Sequence, residues 1–232
     1  MNIGVFAYNF KHKKTQEGLL WLFLRGYKPK VILAADSVPL NFYQSKIRVS
    51  PKGLEYIHPR EIAKKLGIPY HIVAHNSKEC EELIRKFDLD IGIILGARIL
   101  KKQVIDAFKI GIINMHPGSL PENRGLDNLK WAILQEYKQA VSCHFISTEI
   151  DKGPLIVKRE IEVYDDDTLV DVFLRLQNME LVLLIEALKI VESGKRDFKE
   201  LGEGNYRKAV PPELEKGLMM KFEEYQKKYK NL

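Results

Sequence analysis

A chain of 232 residues with 45% apolar and 29% charged side chains is long enough to bury a sizeable core, which excludes disorder over most of its length. No apolar run reaches the roughly 20 residues of a membrane-spanning helix, since LVLLIEALKIV is broken by Glu186 and Lys189, and two cysteines without a CxxC speak against a disulfide framework or structural zinc. The formal charge of +6 and pI near 9.1 gather in Lys11, Lys13, Lys14 and the terminal KKYKNL, where solvated surface is the plainer reading and RNA binding the alternative.

The opening MNIGVFAYNF has no basic region ahead of an apolar one and no small-residue cleavage site, so a cytoplasmic protein is expected. Short apolar runs then alternate with amphipathic stretches, the pattern of βαβ units. Strands are predicted at Ile3 to Ala7, Val31 to Ala34, Tyr70 to Val73, Ile91 to Leu95, Ile110 to Ile113 and Val141 to Ile146. Helices are predicted between them, at Thr15 to Arg25, Pro59 to Leu66, Lys78 to Phe87, Lys101 to Phe108 and Asp127 to Glu136. Continuous apolar strands such as IGIIL suit a parallel sheet covered on both faces. The fold class is therefore α/β, a mostly parallel twisted sheet with helices on both faces.

Between the second strand and second helix, Ser37 to His58 is rich in Ser, Pro, Asn and Tyr and reads as a long surface loop. Further on, LIVKREIEV from Leu155 to Val163 alternates apolar and charged residues as a strand near a sheet edge does. Thr168 and Asp171 then form a capping-box pattern, and apolar residues recur from Leu169 to Ile190, predicting a helix of about seven turns that stops at Gly194. After Pro211-Pro212 a more polar helical pattern begins at Glu213. Residues 1–195 are read as one domain and 196–232 as a helical C-terminal appendage, not an independent domain.

The chemistry concentrates between Gly111 and Gly153. A buried strand ends in Asn114-Met115-His116 and meets Pro117, Gly118 and Pro121. Parallel sheets bind ligands at the carboxyl ends of their strands, and residues two apart on a strand share a face. An amide and an imidazole therefore converge there, a donor pair suited to the negative charge that develops when an amine attacks an acyl carbon. Asp151, in I-D-K-G at a turn after the next strand, is a partner that would hold His116 cationic and handle the amine's proton. Taken singly, each of the three also has a structural reading as a cap, core or turn residue.

The string N-M-H-P-G-S-L-P-E-N-R-G, followed by W-A-I, V-S-C-H-F-I and I-D-K-G-P-L-I, resembles the signature of the folate-dependent formyltransferases. That family takes in glycinamide ribonucleotide transformylase, methionyl-tRNA formyltransferase and the sugar N-formyltransferases. The element order is similar from Ile3 to Gly194, and the likeness is specific from Asp90 to Ile161. It implies a Rossmann-like formyltransferase fold, a catalytic domain over residues 1–195, and a triad of Asn114, His116 and Asp151. It also implies a donor, 10-formyltetrahydrofolate, held by main-chain groups of Leu95, Gly96, Ala97, Arg98, Ile99 and Leu100 and of Ser147, Thr148, Glu149 and Ile150. No metal is implied.

On the acceptor side the resemblance implies Arg124, Gly125 and His144, and the basic loop after the first strand adds Asn9 and Lys11. The Gly/Ser-rich phosphate loop of the ribonucleotide enzyme is replaced by Tyr8-Asn9-Phe10-Lys11-His12-Lys13-Lys14, and the residues after Gly194 are too few for the tRNA enzyme's barrel. Arg124-Gly125 resembles the tRNA and sugar enzymes. The expected activity is formyl transfer to a primary amine of a small molecule, a nucleotide-linked amino sugar being favoured. Hydrolysis of the formyl donor, a glycinamide ribonucleotide or methionyl-tRNA acceptor, and a non-enzymatic RNA-binding role are the alternatives. Neither a membrane nor nucleic acid is the expected partner, and a homodimer is left open.

Overall fold

The computed structural model describes residues 1–39 and 45–230. In chain order these form β1 (Ile3–Tyr8), α1 (Lys13–Leu24), β2 (Val31–Ala35), α2 (Pro59–Leu66), β3 (Tyr70–Ile72), α3 (Lys78–Lys86), β4 (Ile91–Ile94), α4 (Lys102–Ile105) and β5 (Gly111–His116). A short β6 (Arg124–Gly125) leads to α5 (Asn128–Leu134), β7 (Ala140–Phe145), β8 (Leu155–Glu160), α6 (Leu169–Glu192), β9 (Tyr206–Arg207), α7 (Pro212–Glu215) and α8 (Leu218–Tyr229). The main sheet runs β3-β2-β1-β4-β5-β7-β8. Its pairings are parallel through β5, whereas β7 lies antiparallel to both β5 and β8.

The centre of the sheet is covered on both faces because β2 and β4, VILAA and IGII, carry no polar side chain. On β1 and β2, Val5, Ala7, Ile32 and Ala34 enter the core beneath α1 and α6, while Phe6, Val31 and Leu33 enter a second core with Cys80, Leu83 and Ile84 of α3. This division follows the two-residue period of a strand. The 24-residue α6 starts where the sequence marks it: the Thr168 hydroxyl accepts from the Asp171 amide, and the Asp171 carboxylate accepts from the Thr168 amide. Among the described residues, no helix is long and apolar enough to cross a membrane.

Three expectations are corrected. The helix predicted at Lys101 to Phe108 closes after Ile105, because Phe108 turns into the core against Phe6, with ring centroids 5.8 Å apart. The tail helix is broken at Lys216-Gly217 into α7 and α8. The strand expected to end at Ile113 continues to His116 through its pairing with β7. The stretch after β2 contains no helix or strand among its described residues, and positions 40–44 of that predicted loop lie outside them.

The last correction creates the crevice. β4 pairs with β5 only as far as Ile113 and stops at Ile94, so Asn114 to His116 overhang the sheet's carboxyl edge with β7 on one side only.

Candidate active site

Asn114 stands opposite His144, and Met115 opposite Cys143, in the β5–β7 register. Met115 and Cys143 are buried in the core. Their alternating neighbours Asn114, His116 and His144 therefore share the other face. The His116 and His144 rings lie 6.5 Å apart, and Asp151 reaches between them. One carboxylate oxygen is 3.4 Å from His116 Nδ1 and the other 3.8 Å from His144 Nε2, which is itself 3.3 Å from Asn114 Nδ2. The three expected residues are thus brought together, with His144 as the fourth member.

The two histidines have different surroundings. His144 is fully buried, and its Nδ1–H donates to the Phe145 carbonyl at 2.8 Å. Burial, followed by the neighbouring His116 charge, pushes this ring down to about 4, against the opposing pull of Asp151. His144 is neutral at ordinary pH, and its Nε2 lone pair faces the Asn114 amide. His116 instead has an acceptor at each nitrogen: the Asn123 carbonyl at 2.8 Å from Nε2 and Asp151 beside Nδ1. The Asn128 side-chain amide lies 3.2 Å from the same Nε2.

The loop after β5 is fitted closely to His116. A Cβ on Gly118 would lie 2.7 Å from both His116 Nε2 and the Asn123 carbonyl, so the small residue after Pro117 is a steric requirement. Asn123 Nδ2 donates to the Asn128 carbonyl, and Asn128 Nδ2 donates to the Asn123 carbonyl. Asp151 adopts a left-handed backbone, φ 51°, which costs an L-residue roughly 1–2 kcal/mol. It is held there by the Gly125 amide, which donates to its carboxylate at 3.0 Å, and by Arg124, whose guanidinium donates to the preceding carbonyl, Ile150, at 2.5 and 3.0 Å.

Beside Asn114 and Asp151 opens a cleft of about 170 Å³. Its walls are Ile94, Ala97, Arg98, Ile99, Leu100 and, opposite, Ile146, Ser147, Thr148, Glu149 and Ile150. Apolar walls with polar groups converging at one end suit a flat heterocycle. Eight of the ten expected donor-binding residues line it. Leu95 and Gly96 do not: both amides donate to the Phe6 carbonyl, the Leu95 carbonyl accepts from Thr15, and the Leu95 side chain is packed under Gly18.

The acceptor-side expectations need more correction. Lys11 is exposed, with no hydrogen bond or ion pair among the described residues, and stays available. Asn9 is occupied: its amide donates to Asp36 at 2.6 Å and accepts from Tyr70 at 2.8 Å. Arg124 and His144 are buried and turned to protein partners, and Gly125 N–H is directed to Asp151. These three build the site from behind. Sequence reasoning missed Asn123, Asn128 and Ser142, whose hydroxyl donates to the Gly118 carbonyl and accepts from the Leu120 amide. The Asn123 and Asn128 spacing around Arg124-Gly125 was the available signal, but only their burial shows that they must find partners.

Residues 48–188 match the family model described as formyl transferase. The chain is 31% identical to methionyl-tRNA formyltransferase of Clostridium botulinum over 71% of its own length and 56% of the relative's. To GDP-perosamine N-formyltransferase of Brucella melitensis it is 29% identical, over 60% and 55%. It spans about half the length of the curated relatives it matches. In fold it is similar to an N-formyltransferase from Helicobacter canadensis solved with folinic acid and dTDP-3-aminofucose, with TM-score 0.63, 17% identity, and 90% and 71% of the two chains covered.

Proposed function

The chain belongs to the formyl transferase family, and on that premise we propose that it transfers a formyl group from 10-formyltetrahydrofolate to a primary amine of a small-molecule acceptor. The observation that carries the reading is the convergence of Asn114, His116 and Asp151 at the closed end of a cleft lined by Ala97–Leu100 and Ser147–Ile150. Ile94, Ile99, Leu100 and Ile150 of this cleft would hold the pterin end of a folate by apolar contact. The folate, when bound, supplies the formyl group in activated form. Asn114 donates an amide N–H where negative charge builds on the formyl oxygen as the new C–N bond forms. Asp151 accepts the proton that the amine loses, directly or through one water, and returns it to the departing nitrogen. His116, fastened to the Asn123 carbonyl, holds its Nδ1 beside that carboxylate and fixes its direction.

A nucleotide-linked amino sugar is the acceptor class we favour, since relatives of this chain carry the names of sugar N-formyltransferases. Lys11, at the mouth of the loop after β1, is a free cation for its phosphates. The test is a panel of amino sugars, their nucleotide conjugates, glycinamide ribonucleotide and methionyl-tRNA, each incubated with 10-formyltetrahydrofolate and read by mass for the gain of one formyl group. A gain on a nucleotide sugar alone supports the full reading, and a gain only on methionyl-tRNA moves the acceptor to RNA. Release of formate without any acceptor would replace transfer by hydrolysis.

A further inference from the structure

The basic run that opens α1 divides into three different lysines. Lys11 is exposed, and Lys13 forms a surface pair with Glu17 at 2.5 Å. Lys14 turns inward instead. Its ammonium donates to the Met115 carbonyl at 2.9 Å and to Glu180 of α6 at 2.7 Å, where the Glu180 side chain is only 7% exposed. Met115 is the residue between Asn114 and His116.

The strand geometry explains why a cation is needed at that spot. The Ile112 carbonyl accepts from the Ile146 amide, toward β7. Backbone groups on a strand alternate sides, so Met115 directs its carbonyl the other way, toward β4. β4 has already ended at Ile94, and among the described residues no strand is there to donate to it. A buried carbonyl without a donor is costly. The Lys14 ammonium fills the place of the absent strand, and Glu180 balances its charge within the core. The charge is felt nearby: burial and then Lys14 push the His12 ring down to about 4.

We propose that Lys14 is a positioning residue of the catalytic strand, its ammonium fixing the peptide between Asn114 and His116 and coupling that peptide to the loop on the acceptor side. The inference rests on reading Asn114 and His116 as the reacting pair. A purely structural role would make Lys14 a counter-ion for Glu180 and nothing more, and removing both charges separates the two. The experiment compares the unmutated chain with Lys14→Met, Lys14→Arg and the double variant Lys14→Met/Glu180→Met. Thermal unfolding is read beside the NMR signals of the Asn114 side-chain amide and the His116 imidazole, each assigned by its loss in the alanine variant.

Lys14→Met lowers the melting temperature by leaving Glu180 buried without its partner, and the double variant recovers it. The Asn114 and His116 signals stay displaced in the double variant and return to their original positions in Lys14→Arg. On an amine that gains a formyl group, the double variant loses roughly ten- to a hundredfold in kcat with little change in KM for the donor. Unchanged Asn114 and His116 signals in the double variant, or an unchanged kcat, overturn the proposal. If no amine is formylated by the unmutated chain, the reaction assigned to the site fails, while the NMR comparison still decides whether Lys14 sets the strand end.

Discussion

The segments that leave the sheet after β5 and after β2 are held in different ways. Residues 117–125 are tied at nearly every step to groups of the same site: Ser142 grips Gly118 and Leu120, Asn128 grips Asn123, Arg124 reaches Ile150 and Gly125 meets Asp151. The described part of the stretch after β2 is fastened at a few distant points: the Val38 carbonyl to Arg98, the Ile57 amide to Gln16, and Ser45 with Lys46 to Glu215. The difference teaches where precision is concentrated. The first loop surrounds the residues proposed to move a proton, a step that tolerates little displacement. The described part of the second makes no hydrogen bond to Asn114, His116 or Asp151.

The largest test of this contrast is Asp151→Asn. It keeps the size of the side chain but removes the proton acceptor, and turnover is expected to fall about 10²–10⁴-fold with a melting temperature close to that of the original chain. Full activity in this variant removes Asp151 from the mechanism. Next is Lys130→Met. Lys130 and Glu215 form a 2.6 Å pair with side chains 3% and 4% exposed, and Ser45 bonds to both. Burial alone would raise the Glu215 carboxyl, but Lys130, Ser45 and the Lys46 amide outweigh it and hold it down at about 2. Losing the cation should destabilise the protein by about 3–5 kcal/mol. Denaturant unfolding measures this, and a near-zero loss would show that the anchorage of the second segment does not depend on the pair.

The pH dependence probes the first region. His144 is held down to about 4 by burial, below the roughly 6.5 of an unfolded histidine. Between those values the unfolded chain binds the extra proton, so stability is complete above pH 6.5 and declines as pH falls toward 4. The slope from this ring is at most about 1.4 kcal/mol per pH unit, and His144→Phe should flatten it in urea titrations at pH 7 and 5. An unaltered slope would mean that His144 is not the buried neutral group. The smallest effect is expected from Gln16→Ala, which removes the acceptor of the Ile57 amide. A loss of about 1 kcal/mol or less is expected, with any change in activity appearing in KM for the acceptor rather than in kcat.

The central strands of the parallel half, β2 and β4, could be read from sequence because no position in them is polar. Asn114 and His116 were legible for a related reason: a spacing of two on a strand fixes a shared face whatever surrounds it. Thr168 and Asp171 announce α6 through a contact three residues long. What escaped depends on partners far along the chain. Lys14 looked like one of three solvated lysines until Glu180, 166 residues away, is seen to draw it inward. Arg124 and His144 looked like ligand groups because their protein partners, Ile150 and Phe145, offer main-chain carbonyls that no side-chain pattern advertises. The acceptor side was therefore the least legible part of the site.

The latch joining Ser45 to Glu215 spans 170 residues of chain, and a ribosome delivers those residues in order. The segment after β2 emerges early and can meet Gln16 of α1 at once, yet Ser45 has no Glu215 to close on until α7 has left the exit tunnel. Contacts so far apart in sequence form late because their loop-closure entropy must be met first. During synthesis the Ser45 end of the segment thus stays unlatched until the C-terminal residues are made, and its closing marks the docking of α7.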